Sequence, residues 1–154
     1  MKLISIFLLS SLAFGRVAFL ETRDSNGKLQ QFEEDFTYTH VAIEVENRWL
    51  HAYPKRGVEL ITLEELQKIG TVAEYLEVPA GAFTLGEEKR FLGKPYDAQF
   101  SWGDEAIYCS ELVGKILGIE PVPMHFPLKF WPPSYQEWEG DPGVSPGVVY
   151  RWLQ

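Results

Sequence analysis

The chain has 154 residues, 45% of them hydrophobic and 14% aromatic, which suits a single domain with a real core. Its formal net charge of −8 argues against nucleic-acid binding, which needs a basic face to neutralise phosphates, and disfavours electrostatic docking on anionic membranes. The single cysteine, Cys109, excludes an intramolecular disulfide, and three histidines without ligand-type spacing argue against a metal site.

Residues 1–14 read as a signal peptide. Lys2 supplies the charge, Leu3 to Leu9 the apolar stretch, and Ser11-Leu12-Ala13 the small residues for cleavage after Ala13. The expectation is a periplasmic or secreted protein without stable membrane insertion, because the apolar run is too short to span a bilayer. The other reading of this segment is a first core strand. Residues 15–154 then form one domain.

RVAFLE (16–21) predicts a strand, and residues 22–28, with Asn26-Gly27, a turn. LQQFEEDF (29–36) reads as a short amphipathic helix. In THVAIEVE (39–46), Val41, Ile43 and Val45 alternate as in a half-buried strand. A tight turn at 47–48 and a returning strand at 49–53 complete a hairpin, and GVELI (57–61) adds another strand. Ser/Thr-x-x-Glu capping boxes predict helices at 63–68 (Thr62, Glu65) and 85–92 (Thr84, Glu87), and a short helical turn after Ser134 (with Glu137). A strand at 71–78 separates the first two. An aromatic-rich loop (93–105) leads to a helix from Cys109 to Leu117, ended by Gly118. The proline-rich stretch 121–133 predicts no regular structure, and Ser145-Pro146 opens a closing helix. Strands followed by helices indicate an α+β domain with an antiparallel sheet.

Cys109 stands at a helix start, where the macrodipole and free N–H groups favour a thiolate. An imidazole beside it would complete a Cys–His pair, and His40, His51 and His125 are available. His40 lies on the opposite phase from Val41, Ile43 and Val45. With the turn at 47–48, residue 46 pairs with 49 and residue 40 lies near 55, so a His40–His51 contact requires a bulge or a longer turn. The plain alternative is that Cys109 is a small buried hydrophobe.

The block from Leu92 to Glu111 narrows this choice. Leu92-Gly93-Lys94-Pro95-Tyr96-Asp97, Phe100-Ser101-Trp102, Asp104 and Tyr108-Cys109-Ser110-Glu111 resemble the YiiX-like branch of the NlpC-type cysteine hydrolases. YTHVAI (38–43), GRVAFLE (15–21) and VSPGVVY (144–150) resemble that family's histidine strand, opening strand and terminal helix. The resemblance implies a circularly permuted papain-like fold, an antiparallel sheet packed on helices including the cysteine helix, with the histidine ahead of the cysteine.

Lecithin:retinol acyltransferase-like proteins share this order and a second histidine, which His51 matches; YiiX-like relatives more often carry Glu there. Arg16 departs from the family's usual Asp. The implied chemistry is cleavage of an amide through a thioester, with Cys109 as nucleophile, His40 as base and His51 orienting it. Tyr96 is expected at the oxyanion, and Tyr108 and Trp102 along the substrate cleft; Tyr108 and Trp102 read equally well as core aromatics. Glu111 and Asp104 also have plain readings, as first-turn acid and helix cap. No cofactor is implied. The substrates that suit the reading are a small peptide, a peptidoglycan fragment or an acyl lipid; a lipid-directed acyl hydrolase or acyltransferase, and an inactive binding module on the same fold, are the alternatives.

Overall fold

The computed structural model describes residues 15–154, so the expected signal peptide lies outside the described residues. Five strands, β1 (Arg16–Glu21), β2 (His40–Val45), β3 (Arg48–Tyr53), β4 (Gly57–Ile61) and β5 (Thr71–Glu77), form one antiparallel sheet in the order β4-β3-β2-β1-β5. The expected α+β class with an antiparallel sheet is what folds.

Alternation sorts the two faces. Val17, Phe19, Val41, Ile43, Val45, Leu50 and Ala52 point into the principal core, together with Leu112, Val113 and Ile116 of α2 (Cys109–Leu117). α3 (Pro146–Leu153) packs beside α2 and against β5. Ala18, Leu20, Ala42, Trp49 and Ile61 form a smaller core on the other face, closed by Leu66 of the short helix α1 (Leu63–Gln67). α1 keeps its reciprocal cap: Glu65 N–H donates to Thr62 Oγ1 (3.2 Å) and Thr62 N–H to Glu65 Oε2 (2.7 Å).

Arg16, the unusual residue of the first strand, has a local reason. It lies beside Glu44 on β2 and forks onto that carboxylate at 2.8 and 3.0 Å, with its guanidinium 4.8 Å over the Tyr75 ring.

Three expectations are corrected. Residues 29–36 are not a helix: Asp35 is left-handed (φ 54°), and the segment turns so that its side chains serve distant elements. Glu33 accepts from Ser145 Oγ (2.6 Å) and Gly147 N (2.9 Å) at the start of α3, and the Phe32 carbonyl accepts from Trp131 Nε1 (2.8 Å). Residues 85–92 shrink to one 3₁₀ turn, Glu87–Arg90, because Gly86 (φ 105°) breaks the entry and Glu88, not Glu87, reaches back to its N–H. The hairpin turn lies at 46–47, both residues left-handed (φ 48° and 65°), as a two-residue hairpin turn of matching twist requires.

Candidate active site

That one-residue shift of the turn assembles the site. Val45 pairs with Arg48 and Ile43 with Leu50; continued, the register sets His40 against Tyr53, with His51 diagonally adjacent on the same face. No bulge is needed. His40 Nε2 and His51 Nδ1 are 3.0 Å apart. The β3–β4 register then sets His51 opposite Glu59, and His51 Nε2 lies 3.1 Å from Glu59 Oε1. The same carboxylate oxygen meets Arg56 Nε at 2.9 Å.

This line fixes the protons. An ionised carboxylate only accepts, so His51 Nε2–H donates to Glu59 and His51 Nδ1 is left as an acceptor. His40 Nε2–H donates to it, and His40 Nδ1 retains a free lone pair. A bare imidazole nitrogen is what a general base requires. Burial, and then the neighbouring His51 and Arg56, push His40 down to about 3, so it is neutral throughout the physiological range. Burial also lowers His51, although Glu59 pulls it the other way.

Cys109 opens onto the cleft that His40 lines, an open space of about 1000 Å³. The Val41 N–H, one residue after His40, and the N–H and hydroxyl of Ser110 are directed at the sulfur and favour its anion. Burial outweighs them and the thiol is pushed up. The lowered thiol expected from the helix start therefore gives way to desolvation. Both groups are buried, and each is thereby held toward its neutral form, the thiol of Cys109 and the imidazole of His40.

Tyr96 lines the same cleft and also a second cavity of about 290 Å³ that reaches Cys109 from the side of Phe126 and Val144. Burial and the neighbouring Cys109 push its phenol upward, so it holds its proton and can donate. Tyr108 borders the second cavity only, and its Oη accepts from Val144 N–H at 3.0 Å, which ties the C-terminal segment to the entry of α2.

Trp102 lies outside the lining of both cavities and stacks on Lys115, whose Nζ is 4.8 Å from the ring centroid. That ammonium also lies 2.8 Å from Asp104 Oδ1 and 2.8 Å from the buried Glu111 Oε1. The Glu111 contact is a charge pairing off the line of a hydrogen bond. Glu111 Oε2 accepts from Tyr108 N–H (3.2 Å), and burial raises its carboxyl to about 7. Trp102, Asp104 and Glu111 thus converge on one lysine and brace the cysteine helix from behind. His125 is exposed and pairs with Glu139.

The sequence reading missed Glu59. The signal was available: a three-residue turn at 54–56 between the strands read at 49–53 and 57–61 sets residue 51 opposite 59.

The model of the permuted papain-like amidase enzymes of the YaeF/YiiX, C92 family matches residues 11–147. The chain is 31% identical over 112 residues to the uncharacterized protein YiiX of Escherichia coli strain K12, covering 66% of this chain and 55% of that protein. It thus spans about half the length of this curated relative. Among solved structures, the metalloprotein YiiX of Escherichia coli O157:H7 is similar at a TM-score of 0.63 and 26% identity, over 89% of this chain and 91% of that one.

Proposed function

The chain belongs to the YaeF/YiiX family of permuted papain-like amidases, and from that membership we propose that it cleaves its amide by covalent catalysis at Cys109. The observation that carries the reading is the hydrogen-bonded line His40–His51–Glu59, whose first residue lines the same cleft as the only thiol. His40 takes the thiol proton as sulfur attacks the carbonyl carbon, then gives it to the leaving amine. His51 holds the tautomer and orientation of His40 and shares the imidazolium charge with Glu59. The tetrahedral oxyanion accepts from Tyr96 and from N–H groups at the start of α2. Water then takes the place of the amine, and the thioester is hydrolysed.

The similar solved protein is described as a metalloprotein. Among the described residues no three His, Cys, Asp or Glu side chains converge as a metal site requires; the imidazoles of His40 and His51 are turned nitrogen to nitrogen, and the other nitrogen of His51 is held by Glu59.

The test is hydrolysis of peptidoglycan-derived peptides and of N-acyl amides by the wild type, Cys109→Ala and His40→Gln. Loss of turnover by on the order of 1000-fold or more in both variants, with unchanged circular dichroism, supports the assignment. A Cys109→Ala protein that keeps its turnover overturns it. A second reading, transfer or hydrolysis of an acyl chain, is favoured by the cavity beside Cys109, which Phe100, Phe126, Met124 and Val144 line; preference for the long-chain N-acyl amides would select it. The export expected from residues 1–14 is tested by N-terminal sequencing of the exported protein: Phe14 first supports cleavage, and a retained Met1 refutes it.

A further inference from the structure

The cleft in front of Cys109 carries one sign of charge. Arg23, Lys55, Arg56 and Lys94 line it and, among the described residues, no Asp or Glu does, in a chain with 22 acidic and 14 basic residues. Such a distribution does not arise from the overall composition, which runs the other way.

The cations are built into the wall. Lys55 and Arg56 stand on the turn between β3 and β4, which is clamped to the segment that carries Lys94. Val58 N–H donates to the Lys94 carbonyl (2.9 Å) and Gly93 N–H to the Val58 carbonyl (2.9 Å). Gly57 (φ +73°) permits this approach: a Cβ there would lie 2.2 Å from the Lys94 oxygen. Arg56 is aimed by Glu59 at 2.9 Å and by the Tyr53 ring, 4.9 Å from its guanidinium carbon. Across the cleft, Phe130, Trp131 and Tyr135 supply an apolar wall, which excludes water and strengthens the field of the cations.

We propose that the amide cleaved here carries a free carboxylate, held against Lys55 and Arg56 at the β3–β4 turn while its scissile carbonyl lies at Cys109. This names the substrate class of the proposed site and rests on Cys109 as nucleophile. Peptides and N-acyl amino acids with an open carboxylate are the substrates; their amidated or esterified counterparts are poor ones.

The test needs no substrate. Iodoacetate and iodoacetamide both alkylate a thiol by displacing iodide, are of similar size, and differ in charge at pH 7. Rates for Cys109, the only thiol, are referred to those of N-acetylcysteine. The expected iodoacetate-to-iodoacetamide ratio, relative to N-acetylcysteine, is roughly tenfold at low salt. It falls toward one in ~0.5 M NaCl and falls likewise in the exposed-site variant Lys55→Glu. Lys28→Glu, outside the cleft, retains it. The Lys55→Glu arm separates the charge of the turn from any charge on His40. A reactive Cys109 with no preference for iodoacetate, or a preference that Lys55→Glu leaves unmoved, overturns the proposal. A Cys109 that neither reagent modifies overturns the nucleophile itself, a distinguishable failure.

Discussion

In the proposed mechanism Glu59 acts at a distance, through its contact with His51 (3.1 Å). Its effect is to decide which nitrogen of each imidazole holds a proton, and glutamine in its place removes that decision. The side-chain amide introduced by Glu59→Gln can donate to His51 Nε2, which reverses both tautomers and places the proton on the His40 nitrogen that should be bare. We expect Glu59→Gln to lower kcat on the order of 100-fold with little change in KM. Steady-state kinetics on the best amide substrate checks this, beside a thermal melt to confirm folding. The pH dependence is the second consequence at this scale. In the proposed mechanism the active form of His40 is neutral, and its descent to about 3 means that such a base is not lost near the ordinary 6.5. The profile of kcat/KM should stay flat from pH 7 to pH 5; an acidic limb centred near 6.5 would contradict the buried, neutral imidazole.

The elements that position these residues are short, and their junctions matter more than their lengths. The Gly57 clamp is one such junction. Gly57→Ala places a methyl group against a backbone carbonyl and forces an L-residue into a left-handed conformation. It should cost at least about 2 kcal/mol, read as a lowered urea midpoint. The helix at Cys109–Leu117 with its Gly118 stop and the strands at 16–21 and 57–61 were legible because periodicity and caps agree there. The Ser145 cap was equally legible, with Pro146 at the first helical position. The hairpin register was not, because Glu46 and Asn47 adopt left-handed angles that only Asn advertises. The capping pattern at Thr84 and Glu87 misled, since Gly86 supplies a competing turn. Residues 29–36 misled for a tertiary reason: Glu33 and Phe32 bond to partners about a hundred positions away, which no local pattern encodes. Cys109 and His40 could be named from motif and order. Trp102 could not be placed, because its partner Lys115 lies a full helix turn beyond the motif.

The whole molecule carries two opposed pH responses. His40 has a folded value near 3 against 6.5 when unfolded, so its contribution is present above 6.5 and is lost as pH falls toward 3; His51 acts in the same direction. Glu111 is raised from 4.5 to about 7, so its contribution is present below 4.5 and is lost as pH rises through 7. Between 4.5 and 6.5 the slopes oppose, each near 1.4 kcal/mol per pH unit per proton at most. Glu111→Gln removes one side of the balance. Its stability should therefore fall more steeply than that of the wild type between pH 6.5 and pH 5, which urea melts at several pH values would show. The latch from Glu33 to Ser145 and Gly147 has a consequence in time. During synthesis His40 leaves the ribosome early and Cys109 later, yet the wall formed by Phe32 and Trp131, and the helix that Glu33 secures, are completed only after residue 147 has been made. Contacts of such separation close late, so the nascent chain carries the Cys109 thiol past the translation machinery before its cleft is complete.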